Sequence, residues 1–266
     1  MSGRDKIPIL MYHEIYGPDE QGDLRGLTNP AYNTEWSRFR SQMGWVRSAG
    51  IRTLTIDELV SDFVLPREKT ICLTFDDGWL GNYTNAYPIL RGYGFKATFF
   101  VAADLIGKPY YVTWNQLKEM QSSGMSIQSH TVTHRALGDM AESDVRFELE
   151  ESKRIIEERL NSEVNHLSLP HGSRSLLTWQ IAREFGYKTI CTSDVGFRTR
   201  DSKSPWLKRI CIGDRISGEK FSLIARGKSR AIWMMKASKD LKNTLRWTIG
   251  SDHYRRFYQW VYGVKA

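Results

Sequence analysis

Ile71-Cys72-Leu73-Thr74-Phe75 is a short apolar, β-branched run that stops at Asp76-Asp77-Gly78. Such a run reads as a buried strand, with two carboxylates in the tight turn at its C-terminal end. By itself an Asp-Asp-Gly turn is also what a solvated turn or a helix N-cap looks like. A second strand-like run, Met125-Ser126-Ile127-Gln128, leads into Ser129-His130-Thr131-Val132-Thr133-His134. One carboxylate and two histidines four residues apart form a three-ligand metal set that leaves a coordination position for water. The spare aspartate is then the natural base for that water. The same histidine spacing occurs on peptidase zinc helices, but here the second position is Thr131 where that motif carries its catalytic glutamate.

The rest of the chain alternates strand-like and helical stretches. Strands are expected at Ile7–Tyr12, Thr53–Ile56, Ala97–Val101, His166–Leu169, Tyr187–Cys191 and Leu207–Ile212. Helices are expected from Thr34 (as cap) to Ser48, from Asp57 (as cap) to Phe63, and over 82–91, 114–122, 143–160, 176–185 and 219–225. In the longest, Val145, Leu149, Ile156 and Leu160 share one face among charged neighbours. This alternation implies a largely parallel sheet, and 266 residues suit one α/β barrel domain. Pattern alone does not say whether the sheet closes.

Charge divides the chain. Residues 225–266 hold ten Lys/Arg and two Asp, a net +8 that equals the whole-chain charge, so the preceding body is close to neutral. This tail interleaves its basic residues with Trp233, Met234, Met235 and Trp247. It reads either as a helical cover on the barrel or as an interfacial helix against an anionic membrane; no nucleic-acid-binding motif accompanies it. Cys72, Cys191 and Cys211 lie in strand-like runs with no C-x-x-C pair and read as buried thiols. Met1–Lys6 lacks an apolar leader and no run approaches eighteen apolar residues, so a cytoplasmic protein, peripheral to a membrane at most, is expected.

Thr74-Phe75-Asp76-Asp77-Gly78 and His130-Thr131-Val132-Thr133-His134 resemble the first two motifs of the polysaccharide deacetylases, the NodB-homology or carbohydrate esterase family 4 group. Pro170-His171-Gly172 resembles a reduced third motif, and the likeness runs from about Ile7 to about Ile212. The resemblance implies a distorted (β/α)7-type barrel over residues 1–224, with 225–266 as a basic, helical extension. It implies that Asp77, His130 and His134 bind a divalent metal, zinc by family habit, with Co2+, Ni2+ or Fe2+ as alternatives. It assigns Asp76 as general base and the backbone N–H of His171, after Pro170, to the oxyanion.

Two departures stand out. The arginine that opens the family's third motif and orients the catalytic aspartate is replaced by Ser168, with Arg174 the substitute nearest in sequence. The family's late histidine, which protonates the leaving amine, is missing from Leu207–Gly213. Met11-Tyr12-His13-Glu14 resembles the early Tyr-His element of poly-N-acetylglucosamine deacetylases, which makes His13 the candidate acid and His171 its rival. Trp79 reads equally as a platform for a sugar ring and as core, while His166 and His253 read as structural. The implied activity is metal-dependent removal of an N-acetyl group from an acetamido sugar in a polysaccharide or lipid-linked saccharide. Hydrolysis of a non-sugar amide or ureide, and a catalytically silent glycan-binding protein, are the rival readings. Oligomeric state is not legible.

Overall fold

The computed structural model describes residues 6–18, 31–61, 68–173, 175–199 and 201–237. Seven parallel strands follow one another around a closed barrel: β1 (Ile9–Tyr12), β2 (Thr70–Phe75), β3 (Thr98–Val101), β4 (Ser126–Ser129), β5 (His166–Ser168), β6 (Thr189–Val195) and β7 (Trp206–Cys211). Closure is made by β7 pairing with β1 (Ile210 opposite Leu10), and β1 runs in register with β2 from Ile9–Cys72 to Tyr12–Phe75. Arg52–Leu54 adds a strand beside the first half of β2, whose second half pairs with β3.

Side chains alternate across each strand, and the alternation separates two cores. Ile9, Cys72, Phe100, Cys191 and Leu207 form a small apolar cluster with Ile7 and Leu54. The opposite faces, Leu10, Tyr12, Leu73, Phe75, Phe99 and Ile127, join the larger core with the helices. Inside the barrel Arg209 reaches groups on four other strands, namely Thr74, Phe100, Ser168 and Thr192. Cys72 and Cys191 are buried and Cys211 is half-buried, all three as free thiols.

The helices are α1 (Trp36–Ser48), α2 (Ile56–Val60), α3 (Tyr87–Tyr93), α4 (Trp114–Ser122), α5 (Glu142–Leu160), α6 (Leu176–Glu184) and α7 (Gly218–Ala225). In α5 the expected stripe Val145, Leu149, Ile156 and Leu160 is buried, each contributing ~1.5–3 kcal/mol relative to exposure.

Two caps differ from expectation. Glu35, not Thr34, caps α1 by accepting from the Ser37 and Arg38 N–H groups. Thr34 instead forms a two-residue strand with Glu35 against Ile15–Tyr16, and its hydroxyl donates to the Ile212 carbonyl. Thr55, not Asp57, caps α2 in a reciprocal pair with Glu58. The expected strand Ile7–Tyr12 is divided at Pro8, which has no N–H for a ladder. Lys6–Ile7 therefore pairs antiparallel with Arg198–Thr199 outside the barrel.

The freed Asp57 carboxylate lies at the barrel floor, where the strands begin. There it faces His166 Nε2 at 3.2 Å and accepts from the Ser126 hydroxyl at 2.6 Å. His166 Nδ1 meets Thr189 Oγ1 at 2.9 Å, so this histidine is structural, as expected; His253 lies outside the described residues.

Of the basic extension, a helical stretch over 229–237 is described. Ala231 and Ile232 close onto the larger core, whereas Trp233 and Met234 are 69% and 71% exposed. No helix among the described residues is long and apolar enough to cross a membrane.

Candidate metal centre and active site

The C-terminal ends of β1, β2, β4, β5 and β7 bring the polar residues together, the end at which closed parallel barrels carry their chemistry. The turn after β2 holds Asp77 in the left-handed region (φ 76°), followed by Gly78 at φ 84°. The adjacent carboxylates thus point into different surroundings.

Asp77 Oδ1 lies 3.2 Å from His130 Nε2 and 3.0 Å from His134 Nε2, yet it is buried and receives no hydrogen bond. His130 Nδ1 sits 2.8 Å from the Ser168 carbonyl, which only accepts, so the proton is on Nδ1 and the Nε2 lone pair faces Asp77. Three ligand atoms from Asp77, His130 and His134 within 4.8 Å, one of them an orphaned oxygen, fit a divalent cation. The other oxygen, Asp77 Oδ2, accepts from Trp79 Nε1 at 2.8 Å. Burial works upward on the Asp77 carboxyl, but the positive charge of His13 and His134 outweighs it and holds it well below the usual range. For His134 burial acts downward, and Asp77 more than reverses it.

The histidine loop is held from behind. Glu148, on the inward face of α5, accepts from the Val132 N–H (2.8 Å), the Thr133 N–H (3.0 Å) and the Thr133 hydroxyl. This carboxylate fixes a turn in which Thr131 (φ 69°) and His134 (φ 61°) are both left-handed, a conformation costly for β-branched residues.

Asp76 is 2% exposed and fully engaged. Arg209 binds it bidentately, Nη1 to Oδ1 and Nη2 to Oδ2, both at 2.7 Å, and the Ser168 hydroxyl donates to Oδ2 at 3.0 Å. Arg209 Nη2 also donates to Ser168 Oγ at 2.8 Å, which closes a triangle of arginine, serine and aspartate. Burial pushes the Asp76 carboxyl up, and Arg209 with His130 and His13 brings it net below the usual range. Asp76 is therefore ionised at neutral pH.

His13 leaves the end of β1 beside Asp76, whose N–H donates to the Tyr12 carbonyl at 3.0 Å. Its ring stacks on Tyr32 at 4.8 Å, and Nδ1 is buried without a hydrogen bond. Burial lowers its pKa, with Asp77 and Asp76 acting upward against it. His171 lies across the site, 5.0 Å from the His134 ring and at φ 56°. Burial, then His134 and His130, push it down to about 4.

Known proteins resemble this chain in sequence and fold. A family model described as polysaccharide deacetylase matches residues 64–190. YxkH of Bacillus subtilis (strain 168), assigned to the polysaccharide deacetylases, is 33% identical over 219 residues, covering 81% of this chain and 75% of that protein. The chain belongs to the polysaccharide deacetylase family. A poly-beta-1,6-N-acetyl-D-glucosamine N-deacetylase of Staphylococcus aureus (strain MRSA252) is 24% identical, covering 69% of each chain. The solved structure of the Streptococcus pyogenes deacetylase PplD in complex with acetate superposes with a TM-score of 0.71 at 33% identity, covering 80% of this chain and 95% of that one. IcaB from Ammonifex degensii shares the fold at 23% identity (TM-score 0.70; 85% of this chain, 98% of that one).

Within this deacetylase the first departure in sequence is answered from the place of the second. The orienting arginine absent at position 168 is supplied by Arg209, from the strand where the late histidine was expected, and Ser168 fills the shorter space it leaves. Arg174 lies outside the described residues. Trp79 corrects the sugar-platform expectation: it is 6% exposed, its N–H is used on Asp77, and its face is stacked on Tyr111 at 4.6 Å.

Arg209 and Glu148 were missed as functional residues. The available signals were an arginine on the inward face of an apolar strand and a glutamate beside the buried stripe of a helix.

Proposed function

We propose that this family member hydrolyses the N-acetyl group of an acetamido sugar in a polysaccharide, with poly-N-acetylglucosamine or a lipid-linked saccharide as the substrate class. One observation carries the reading: adjacent carboxylates of a single turn are split between a guanidinium that keeps Asp76 ionised and an imidazole pair that leaves Asp77 Oδ1 open. The glycan assignment is supported by what the relatives are named to act on.

Asp77, His130 and His134 would hold the ion, for which we propose zinc. When bound, such an ion supplies Lewis acidity towards water and the amide carbonyl. Asp76 takes a proton from the attacking water as the new C–O bond forms. The backbone N–H of His171, after Pro170, receives the charge that develops on the carbonyl oxygen. His13 gives a proton to the nitrogen as the C–N bond breaks, leaving acetate and a free amine. With Nδ1 buried, Nε2 is the atom that delivers it.

His13 is preferred to His171 because it ends the strand beside Asp76, where Asp77 and Asp76 act upward against the burial, Arg209 and His130 that lower its pKa. His171 faces two imidazoles that disfavour it. The experiment is acetate release from N-acetylglucosamine oligomers with added zinc or cobalt. Turnover of a ureide or a simple amide in place of the oligomers would reassign the substrate, and turnover of neither would make the chain a binding protein.

Exposed Trp233 and Met234 on a basic helix support a further proposal, peripheral contact of the extension with an anionic membrane. Binding to anionic but not neutral vesicles, weakening with salt, is the expected result. Equal binding to both, or to neither, would leave 225–266 as a cover on the barrel.

A further inference from the structure

His13 Nδ1 has no hydrogen bond; stacking on Tyr32 orients the ring, and the backbone that carries it sets where the ring sits over the site. That backbone is held on one side by the Thr34 N–H, which donates to the Glu14 carbonyl at 2.9 Å, and on the other by the chain immediately after the acidic turn. Asn82, 1% exposed, donates from Nδ2 to the His13 carbonyl at 2.7 Å. Asn85 donates from Nδ2 to the Ile15 carbonyl at 2.8 Å. Between them, the Gly81 N–H donates to Glu14 Oε1 at 3.1 Å, and Glu14 is 3% exposed.

The approach is close enough to require glycine. A Cβ on Gly81 would lie 2.1 Å from both Glu14 Oε1 and the Ile15 carbonyl oxygen. Residues 82–86 form a π-helical turn before α3 begins, and single π turns recur at functional sites. Here the turn carries both asparagines that reach the His13-Glu14-Ile15 backbone.

The geometry points to Asn82, assisted by Gly81 and Asn85, as a positioning residue for proton delivery by His13. This rests on the reading of His13 as the acid. The physical reason is registration. The base and one ion-holding carboxylate are on the turn after β2, the acid is on the neighbouring strand end, and an acid displaced by about 1 Å loses roughly 10²-fold in rate. A clamp from the acidic turn's own segment makes acid and base move together.

The test separates leaving groups. An amine must be protonated as it departs, whereas the nitrophenolate of 4-nitrophenyl acetate leaves without a proton. Zinc-loaded wild type, His13→Ala, Asn82→Ala and the double variant are compared on N-acetylglucosamine oligomers and on the aryl ester, with zinc content measured in each. The expected result is a fall in kcat on the oligomers of roughly 10- to 100-fold for Asn82→Ala, with a much smaller fall on the ester and zinc retained. The double variant should be no slower than His13→Ala.

Equal losses on both substrates, or losses that multiply in the double variant, would reduce Asn82 to a structural residue. An amide-selective loss in Asn82→Ala but not in His13→Ala would instead show that His13 is not the acid, and the clamp role would fall with it. Asn85→Ala, at a half-buried site, should show the same selectivity at smaller size, and it answers the question if Asn82→Ala does not fold. An Asn85→Ala loss equal on both substrates would overturn the proposal.

Discussion

His166 at the barrel floor is a buried imidazole and His13 at its mouth a half-buried one, and their surroundings are opposite. His166 has Thr189 Oγ1 on one nitrogen and Asp57 Oδ1 on the other, and the second Asp57 oxygen is taken by Ser126. Gln128 finishes the floor by accepting from the Asn165 and His166 N–H groups at 2.8 and 2.9 Å. At the mouth, His13 Nδ1 and Asp77 Oδ1 are buried with no hydrogen bond. An unsatisfied buried polar atom costs about 1–3 kcal/mol, so the mouth carries a cost that the floor does not. The contrast marks which end is kept ready for an ion and a moving proton, and which end holds the barrel together.

Removing a mouth ligand should have the largest effect. His134→Ala is expected to lose bound metal and deacetylation together, read by elemental analysis beside acetate release. Full zinc occupancy in that variant would move the ion away from the open Asp77 oxygen and break the contrast. Next comes Asp76→Asn, expected to keep its metal while turnover falls roughly 10²–10⁴-fold. Loss of metal with turnover restored by adding it back would exchange the roles of the two carboxylates. Trp79→Phe keeps the stack on Tyr111 but removes the donor to Asp77 Oδ2, and metal affinity should weaken about 10- to 100-fold in calorimetric titration. Unchanged affinity would make the indole a packing residue only.

At the floor the effect should appear in stability and leave kcat alone. His166→Gln is expected to lower unfolding free energy by roughly 1–3 kcal/mol in urea at neutral pH, with metal content and turnover preserved. The pH dependence sharpens this. Burial raises the Asp57 carboxyl, but His166 and Ser126 bring it net below its ordinary value. A depressed carboxylate stabilises the fold above its unfolded-state pKa, and that contribution is lost as pH falls through the folded-state value. The gap between wild type and His166→Gln should therefore narrow in acid. A gap that stays constant would assign the effect to packing, and a loss of turnover would tie the floor to the chemistry.

The strands, the helices and the metal triad were legible because each leaves a local trace. Apolar runs ending at Asp76-Asp77-Gly78 and at His130 mark strand ends, and α5 shows its stripe at helical spacing. Cap positions were less legible. Thr34 and Asp57 have the right chemistry for capping, but each side chain is claimed by a distant partner, Ile212 and His166 respectively. Trp79 was ambiguous for the same reason, since only its neighbours Asp77 and Tyr111 decide that it faces inward.

By itself the sequence determined the order of strands and helices, the acidic turn and the histidine pair, because hydrophobic period and residue chemistry act over a few positions. Only the tertiary structure decided what completes Asp76. Arg209 lies 133 residues away along the chain, and no local pattern couples an arginine in a late strand to a serine in an earlier one. Closing the sheet brings β7 against β1, with β2 next to it. This places a buried guanidinium where its charge is favourable only if it meets a carboxylate, and Asp76 is the carboxylate it meets.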